Sequence, residues 1–320
     1  MEIPDYQPFY IQSADGLRSE VARLGLEIPF EEDVSSLAQS LLVGGREVPN
    51  RFCAQPISGG DALEYGAPGL LTRRRYTAYA RGGFGLIWVE RTSALQMEKQ
   101  GRLCLSAASV PQFASMLAEM RAAATQPPVV LLQLNSREPA ALVSAARLAR
   151  DAGFDGVDIQ SGREILPETL ARVRDAVPEL LLTTRLCGYE GIRGGFGVSK
   201  GDFRKSDLAV PMEYVRRLVN SGLQMLNVTS ASPSLVGSKR GEQAKLDSEN
   251  PDEHPLMTLA RQLALVRAFK ASFPTLLTVG SGLSWLRQFV SQVASGAVLS
   301  GGMDIAGFGR SALALSLIHI

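Results

Sequence analysis

PVVLLQLNSREPAALVSAARLARDAGFDGVDIQ, residues 128–160, decides the fold. It opens on PVVLLQL (128–134), an apolar run of the length of a buried parallel strand. EPAALVSAARLARDAG (138–153) then places apolar residues three and four apart, the spacing of one helix face, and ends on glycine. DGVDIQ (155–160) is a second short apolar run. Strand, helix and strand joined by short links predict a parallel sheet with helices outside it.

The same alternation runs outward in both directions. Upstream lie RFCAQ (51–55) and FGLIWV (84–89). Downstream lie LLLTTRL (180–186), LQMLNV (223–228), TLLTVG (275–280) and MDIAGF (303–308). Helix-periodic stretches separate them: TRRRYTAYARGG with Thr72 as N-cap, VPQFASMLAEMRAAA, VPMEYVRRLVNSG, MTLARQLALVRAFKASFP and LSWLRQFVSQVASG. Eight such strands predict closure into an α/β (β/α)8 TIM barrel over residues 51–314, the last strand lacking its helix. Residues 1–50 precede the first unit. They read as two helices, about 14–24 and 33–41, then a hairpin around Gly44-Gly45 in LLVGGREVPN, together an N-terminal cap over the barrel bottom. A long polar stretch, 230–255, follows the sixth strand and includes His254, expected to be solvated.

Composition narrows the function. At 320 residues, 45% hydrophobic and 20% charged, the chain is ordinary globular protein. Thirty-three basic against 32 acidic residues give a net charge of +1, which supplies no argument for nucleic acid or a membrane surface. Cys53, Cys104 and Cys187 form no CxxC, and His254 and His319 are the only histidines, so neither a disulfide framework nor a metal cluster is expected. The N-terminus carries no secretory pattern, and no apolar run approaches the roughly 20 residues of a membrane span. The expectation is a cytoplasmic protein acting on a small molecule, with a homo-oligomer left open.

Barrels of this kind do their chemistry at the C-terminal strand ends. Those ends are Pro56-Ile57-Ser58, Glu90-Arg91, Gln133, Gln160, Arg185, Asn227 to Ser230, Gly280-Ser281-Gly282 and Gly309-Arg310. Glycines at 280 and 282 let backbone N–H groups approach an anion, and Arg310 adds a guanidinium at the next strand end. The pairing of those two ends points to phosphate binding. Gln133 offers a donor and an acceptor, and Arg185 a fixed charge. No strand end carries Lys, and no His/Asp/Glu cluster appears, so the chemistry is expected to come from a cofactor.

These stretches resemble the flavin oxidoreductases of the old yellow enzyme class. The resemblance is carried by VPNRFCAQPISGGDA (48–62), YTAYARGGFGLIWVERTSA (76–94), LLQL (131–134) and AARLARDAGFDGVDI (145–159). It continues through TTRL (183–186), VGSGLSWLR (279–287) and MDIAGFGRSALA (303–314). It implies FMN as cofactor and NADH or NADPH as reductant, with hydride passed through flavin N5 to an electron-poor acceptor such as an enone. It implies that Pro56, Ile57 and Ser58 line the flavin near N5 and O4, that Gln133 bonds its pyrimidine ring, and that Arg185 lies beside N1 and O2. The phosphate would fall to Gly280, Ser281, Gly282, Gly309 and Arg310.

The substrate side departs from the family. Its usual His-x-x-His or His-x-x-Asn pair, which grips the substrate oxygen, is Gln160 and Arg163 here. NSRE stands where HAGR is usual, two substrate-facing loops are short, and Arg91 replaces a small residue. Tyr189, in the following segment, is a candidate proton donor, and the glycine-rich IRGGFGVSKGD (192–202) resembles a nucleotide fingerprint weakly. Two alternatives therefore stay open: an FMN-binding barrel with a degenerate substrate site and little turnover, and a phosphate-binding isomerase or lyase without flavin. LSLIHI (315–320) leaves the family pattern and is expected to be a non-native tail on a chain cut before its closing helix.

Overall fold

The computed structural model describes residues 9–202, 204–231 and 254–314. Most of the polar stretch 230–255 and all of the expected tail 315–320 lie outside them. The N-terminal segment contributes α1 (Ala14–Arg23), a 3-10 turn at Ser35–Ala38, and an antiparallel hairpin of β1 (Leu41–Val43) and β2 (Arg46–Val48). The helix expected over 33–41 is thus a single tight turn. The barrel strands are β3 (Phe52–Ala54), β4 (Leu86–Ala94), β6 (Val129–Asn135), β7 (Gly156–Gln160), β8 (Leu181–Tyr189), β9 (Met225–Ser230), β10 (Leu277–Gly280) and β11 (Ile305–Phe308). All pair in parallel in chain order, and β3 pairs with both β11 and β4, so the sheet closes on itself. One short strand escaped the sequence reading: β5 (Leu103–Leu105) pairs with Thr92–Ala94, where β4 runs on beyond the barrel.

The opening stretch folds as its pattern demands. α4 (Pro139–Ala152) starts with proline in its first turn and ends at Gly153, whose N–H returns to the carbonyls of Ala149 and Arg150. Leu142, Ala145, Ala146, Ala149 and Ala152 are its buried residues, one stripe facing the strands. The other long helices are α2 (Leu70–Arg81), α3 (Val110–Ala123), α5 (Leu166–Ala176), α6 (Ala209–Asn220), α7 (Pro255–Ser272) and α8 (Val290–Leu299), with a short α9 (Arg310–Ala314) after the last strand. α2 is capped by Gly69, three residues ahead of the expected N-cap, and Thr72 instead donates to Asp61. His254 is not a solvated loop residue: its Nδ1 accepts from Leu256 N–H at the start of α7, and its ring packs against Trp285.

Alternation along the strands gives the barrel two cores. Between sheet and helices lies a large apolar layer that includes Val130, Leu132, Val157, Ile159 and Leu182. Inside lies a smaller plug of Cys53, Leu86, Trp88, Leu131, Leu181, Met225, Val279 and Ile305. Val43 and Val48 of the hairpin join that plug, which seals the bottom of the barrel. Asn50 ties the entrance together: its Oδ1 accepts from Phe52 and Gly85 N–H, and its Nδ2 donates to Gly83 O. Polar residues are thereby displaced to the upper barrel, where the strand ends meet.

Candidate functional site

One inward step above the apolar plug, the strands carry polar side chains instead. Gln133, Asp158 and Gln160 follow Leu131 and Gly156 at every second position, so they share the barrel interior. Asp158 is wholly buried. Gln133 Nε2 donates to its Oδ2 at 2.7 Å, Gln160 Nε2 to its Oδ1 at 2.7 Å, and the Arg185 N–H to the same Oδ1 at 3.2 Å. Burial pushes the Asp158 carboxyl above the usual carboxylate range; the two amides and the Arg185 charge act in the opposite direction. Both glutamines spend their N–H groups on this carboxyl, and among the described residues no donor reaches either amide oxygen. The Arg185 side chain is exposed above them. Across the barrel, Gln55 and Asn227 exchange amide hydrogen bonds of 2.7 and 3.3 Å.

A second network, centred on Glu90, holds the loop that contains Pro56, Ile57 and Ser58. Glu90 is 1% exposed and accepts from the Gly59 N–H and from Arg75 Nη2 at 2.7 Å. Arg75 also forks onto Asp61, which accepts from Thr72 Oγ1 as well. Burial raises the Glu90 carboxyl, with Gly59 and Arg75 opposing; the Arg75 hydrogen bonds lower that of Asp61. A Cβ on Gly59 would collide with the Arg75 guanidinium, so the network needs glycine there. Arg75 and Asp61 were not singled out in the sequence. Arg75 is one of three consecutive arginines in a helix, and only the tertiary fold selects the inward one.

The two corners expected to hold phosphate are neighbours. β10 ends at Gly280, Ser281 follows, and Gly282 adopts φ 89°, a left-handed conformation that favours glycine. β11 ends at Phe308, and Gly309 leads into Arg310, which is exposed at the start of α9. Parallel pairing of Gly280 with Ala306 and a 3.1 Å hydrogen bond from Ser311 to Ser284 join the corners. The Gly309 Cβ position lies 3.2 Å from Ile57 Cδ1, so the Pro56–Ser58 loop borders the same place. The segment after Gly282 is a 3-10 helix, Leu283–Phe289, broken at Arg287 (φ 48°), rather than the start of an α-helix. No α-helix dipole therefore backs the Gly280–Gly282 turn, and the groups there that an anion could meet are loop N–H groups and Arg310.

Three expected residues lie elsewhere. Arg163 donates to Glu190 Oε1 at 2.7 Å and stacks 4.6 Å from the centre of the Phe196 ring. Tyr189 is wholly buried in the layer between strands and helices, under the Arg261 guanidinium, and so does not open to the barrel mouth as a proton donor would. A register shift in β8 between Cys187 and Tyr189 turns it to that side. Arg91 is exposed and pairs with Glu98 at 3.1 Å. The glycine-rich 192–202 forms turns with no helix at its last glycine. Among the described residues no group of three His, Cys, Asp or Glu could hold a metal ion, and no helix is long and apolar enough to cross a membrane.

Solved structures share this architecture. A 2-naphthoyl-CoA reductase in complex with 2-naphthoyl-CoA superposes with a TM-score of 0.69 at 14% identity, over 90% of this chain and 52% of its own. Histamine dehydrogenase from Rhizobium sp. 4-9 gives 0.64 at 16% identity, over 89% and 47%. The old yellow enzyme from Trypanosoma cruzi gives 0.59 at 14% identity, over 88% and 92%. This chain thus spans about half the length of the first two and nearly the full length of the third. At these identities the likeness is one of fold: the structural neighbours include old yellow enzymes, with their closed parallel eight-strand barrel. No protein-family model matches the sequence, and no curated protein does.

Proposed function

We propose that this chain is an FMN-dependent oxidoreductase that uses NADH or NADPH as reductant and reduces an electron-poor acceptor. One observation carries the reading. Among the described residues, the upper barrel presents two amide acceptors that no donor reaches and a guanidinium, and the same rim of strand ends carries a glycine corner with a second arginine. A flat heterocycle with N–H and C=O edges and a phosphate tail matches that combination. The fold neighbours include old yellow enzymes, which supports it.

When bound, FMN supplies a two-electron carrier able to take hydride from a nicotinamide and give it to an acceptor. The chain's own residues would do the rest. Gln133 Oε1 is left as an acceptor for a ring N–H, because its amide nitrogen is committed to Asp158. The Arg185 charge would favour negative charge on the ring edge it faces. The Pro56–Ser58 loop, fixed through Gly59 by Glu90 and Arg75, would set one wall. Gly280, Ser281, Gly282, Gly309 and Arg310 would hold the phosphate.

The test is reconstitution. Purified protein is mixed with FMN, desalted, and scanned for flavin absorbance, then mixed anaerobically with NADH or NADPH. Retained flavin that bleaches with a nicotinamide is the expected result; absence of retained flavin overturns the reading. A barrel that holds FMN but turns over little is favoured by the commitment of Arg163 to Glu190, which takes up the charge of a residue expected to meet the acceptor. That reading predicts retained flavin with negligible NAD(P)H oxidation across a panel of enones and quinones.

A further inference from the structure

We propose that the substrate side of the mouth recognises a hydrogen-bond donor, an uncharged N–H or O–H, and that Gln160 Oε1 is the atom that accepts it. The inference rests on the reading that the mouth is the substrate site, and it deepens that reading by naming the polarity of the ligand.

Gln160 is the last residue of β7, in inward register with Asp158, and is half-buried at the strand end. The orientation of its amide is dictated by what surrounds it. Nε2 lies 2.7 Å from Asp158 Oδ1, 3.4 Å from Thr184 Oγ1 and 3.4 Å from the Arg185 carbonyl. All three act as acceptors toward it: the carboxylate, a main-chain carbonyl, and a hydroxyl whose own proton goes to Ile159 O at 2.8 Å. Turning the amide over would set its oxygen against three sets of lone pairs. Asp158 is itself fixed, by Gln133 on its other oxygen and by the Arg185 N–H. The amide nitrogen therefore points down into the barrel, and Oε1 remains for a ligand.

Arg163, three residues after Gln160, is held by Glu190 and by the face of Phe196. A ligand carbonyl at Gln160 would meet a lone pair, whereas an N–H or O–H would meet an acceptor. Charge selects an uncharged donor over an ammonium ion: the buried carboxylate of Asp158 is offset by the exposed guanidinium of Arg185, which leaves no net negative charge to hold a cation. The first position of the residue pair that the resemblance implies as a grip on a substrate oxygen thus has the opposite polarity here.

Succinimide and N-methylsuccinimide are unreactive probes that differ in one N–H. Their binding is measured by ligand-observed NMR, which needs no flavin, and by perturbation of the flavin spectrum in FMN-loaded protein. Wild type should bind succinimide roughly 2- to 10-fold more tightly, the value of one hydrogen bond. Gln160→Met, of similar length without polar atoms, should abolish the preference, with an unchanged circular dichroism spectrum as the folding control. Equal binding, binding of neither probe, or a preference that survives Gln160→Met overturns the proposal. Absence of a flavin spectrum would sink the FMN reading while the NMR arm still decides the polarity of Gln160.

Discussion

Glu90 and Asp158 are both buried carboxyls raised by burial, but their partners differ. Glu90 has a guanidinium partner in Arg75, 14% exposed against 1% for Glu90 itself. Removing that partner strands a buried charge. Arg75→Ala should lower the unfolding free energy in urea by about 3–5 kcal/mol, and the pair Arg75→Met/Glu90→Gln should recover most of it. Asp158 is met by two amides and a main-chain N–H instead of an ion-pair partner in contact, and burial raises its carboxyl. The folded state thus holds the proton more tightly than the unfolded chain. The contribution of Asp158 is greatest below the ordinary aspartate range near pH 4 and is lost as pH rises through the folded value. Urea midpoints of wild type and Asp158→Asn, taken from about pH 4 to 8, should therefore diverge with rising pH to the disadvantage of wild type; a constant gap would contradict this. The sequence placed Gln133, Gln160 and Arg185 at strand ends from periodicity alone. It could not orient the two amides, because hydrogen-bond polarity depends on Asp158, a neighbour inside the barrel whose partners only the folded chain brings together.

At the scale of elements, strands were more legible than what joins them. Each of the eight apolar runs became a barrel strand, because a strand buried on both faces announces itself in composition. β5 has three residues and no such signal. LSWLRQF has helical spacing but folds as a 3-10 segment with a break at Arg287, a distinction that spacing does not make. Tyr189 was misplaced because β8 runs past Arg185 and shifts register, and a one-residue shift exchanges faces. The hairpin offers a direct test of the cap's role. Val48→Ala should cost about 2 kcal/mol, for two lost methyl groups and the cavity they leave. Val48→Asp, which places an unpaired charge in the plug, should cost several kcal/mol more. Thermal melts of both variants check the order; a tolerated aspartate would mean that the hairpin does not seal the barrel.

At the scale of the whole molecule, closure is what makes the site. Because β3 pairs with β11, the loop after the first barrel strand lies beside the corner after the last, and Ile57 approaches Gly309 across more than two hundred residues of chain. The proposed role of this junction is to hold the phosphate of FMN. Titration of wild type and Arg310→Ala with FMN and with riboflavin, followed by flavin fluorescence, tests it most directly. Wild type should bind FMN saturably and riboflavin roughly 10- to 100-fold more weakly, the value of charged hydrogen bonds to the phosphate, and Arg310→Ala should remove most of that difference. Equal affinity for the two flavins, or no binding of FMN at all, would contradict the account.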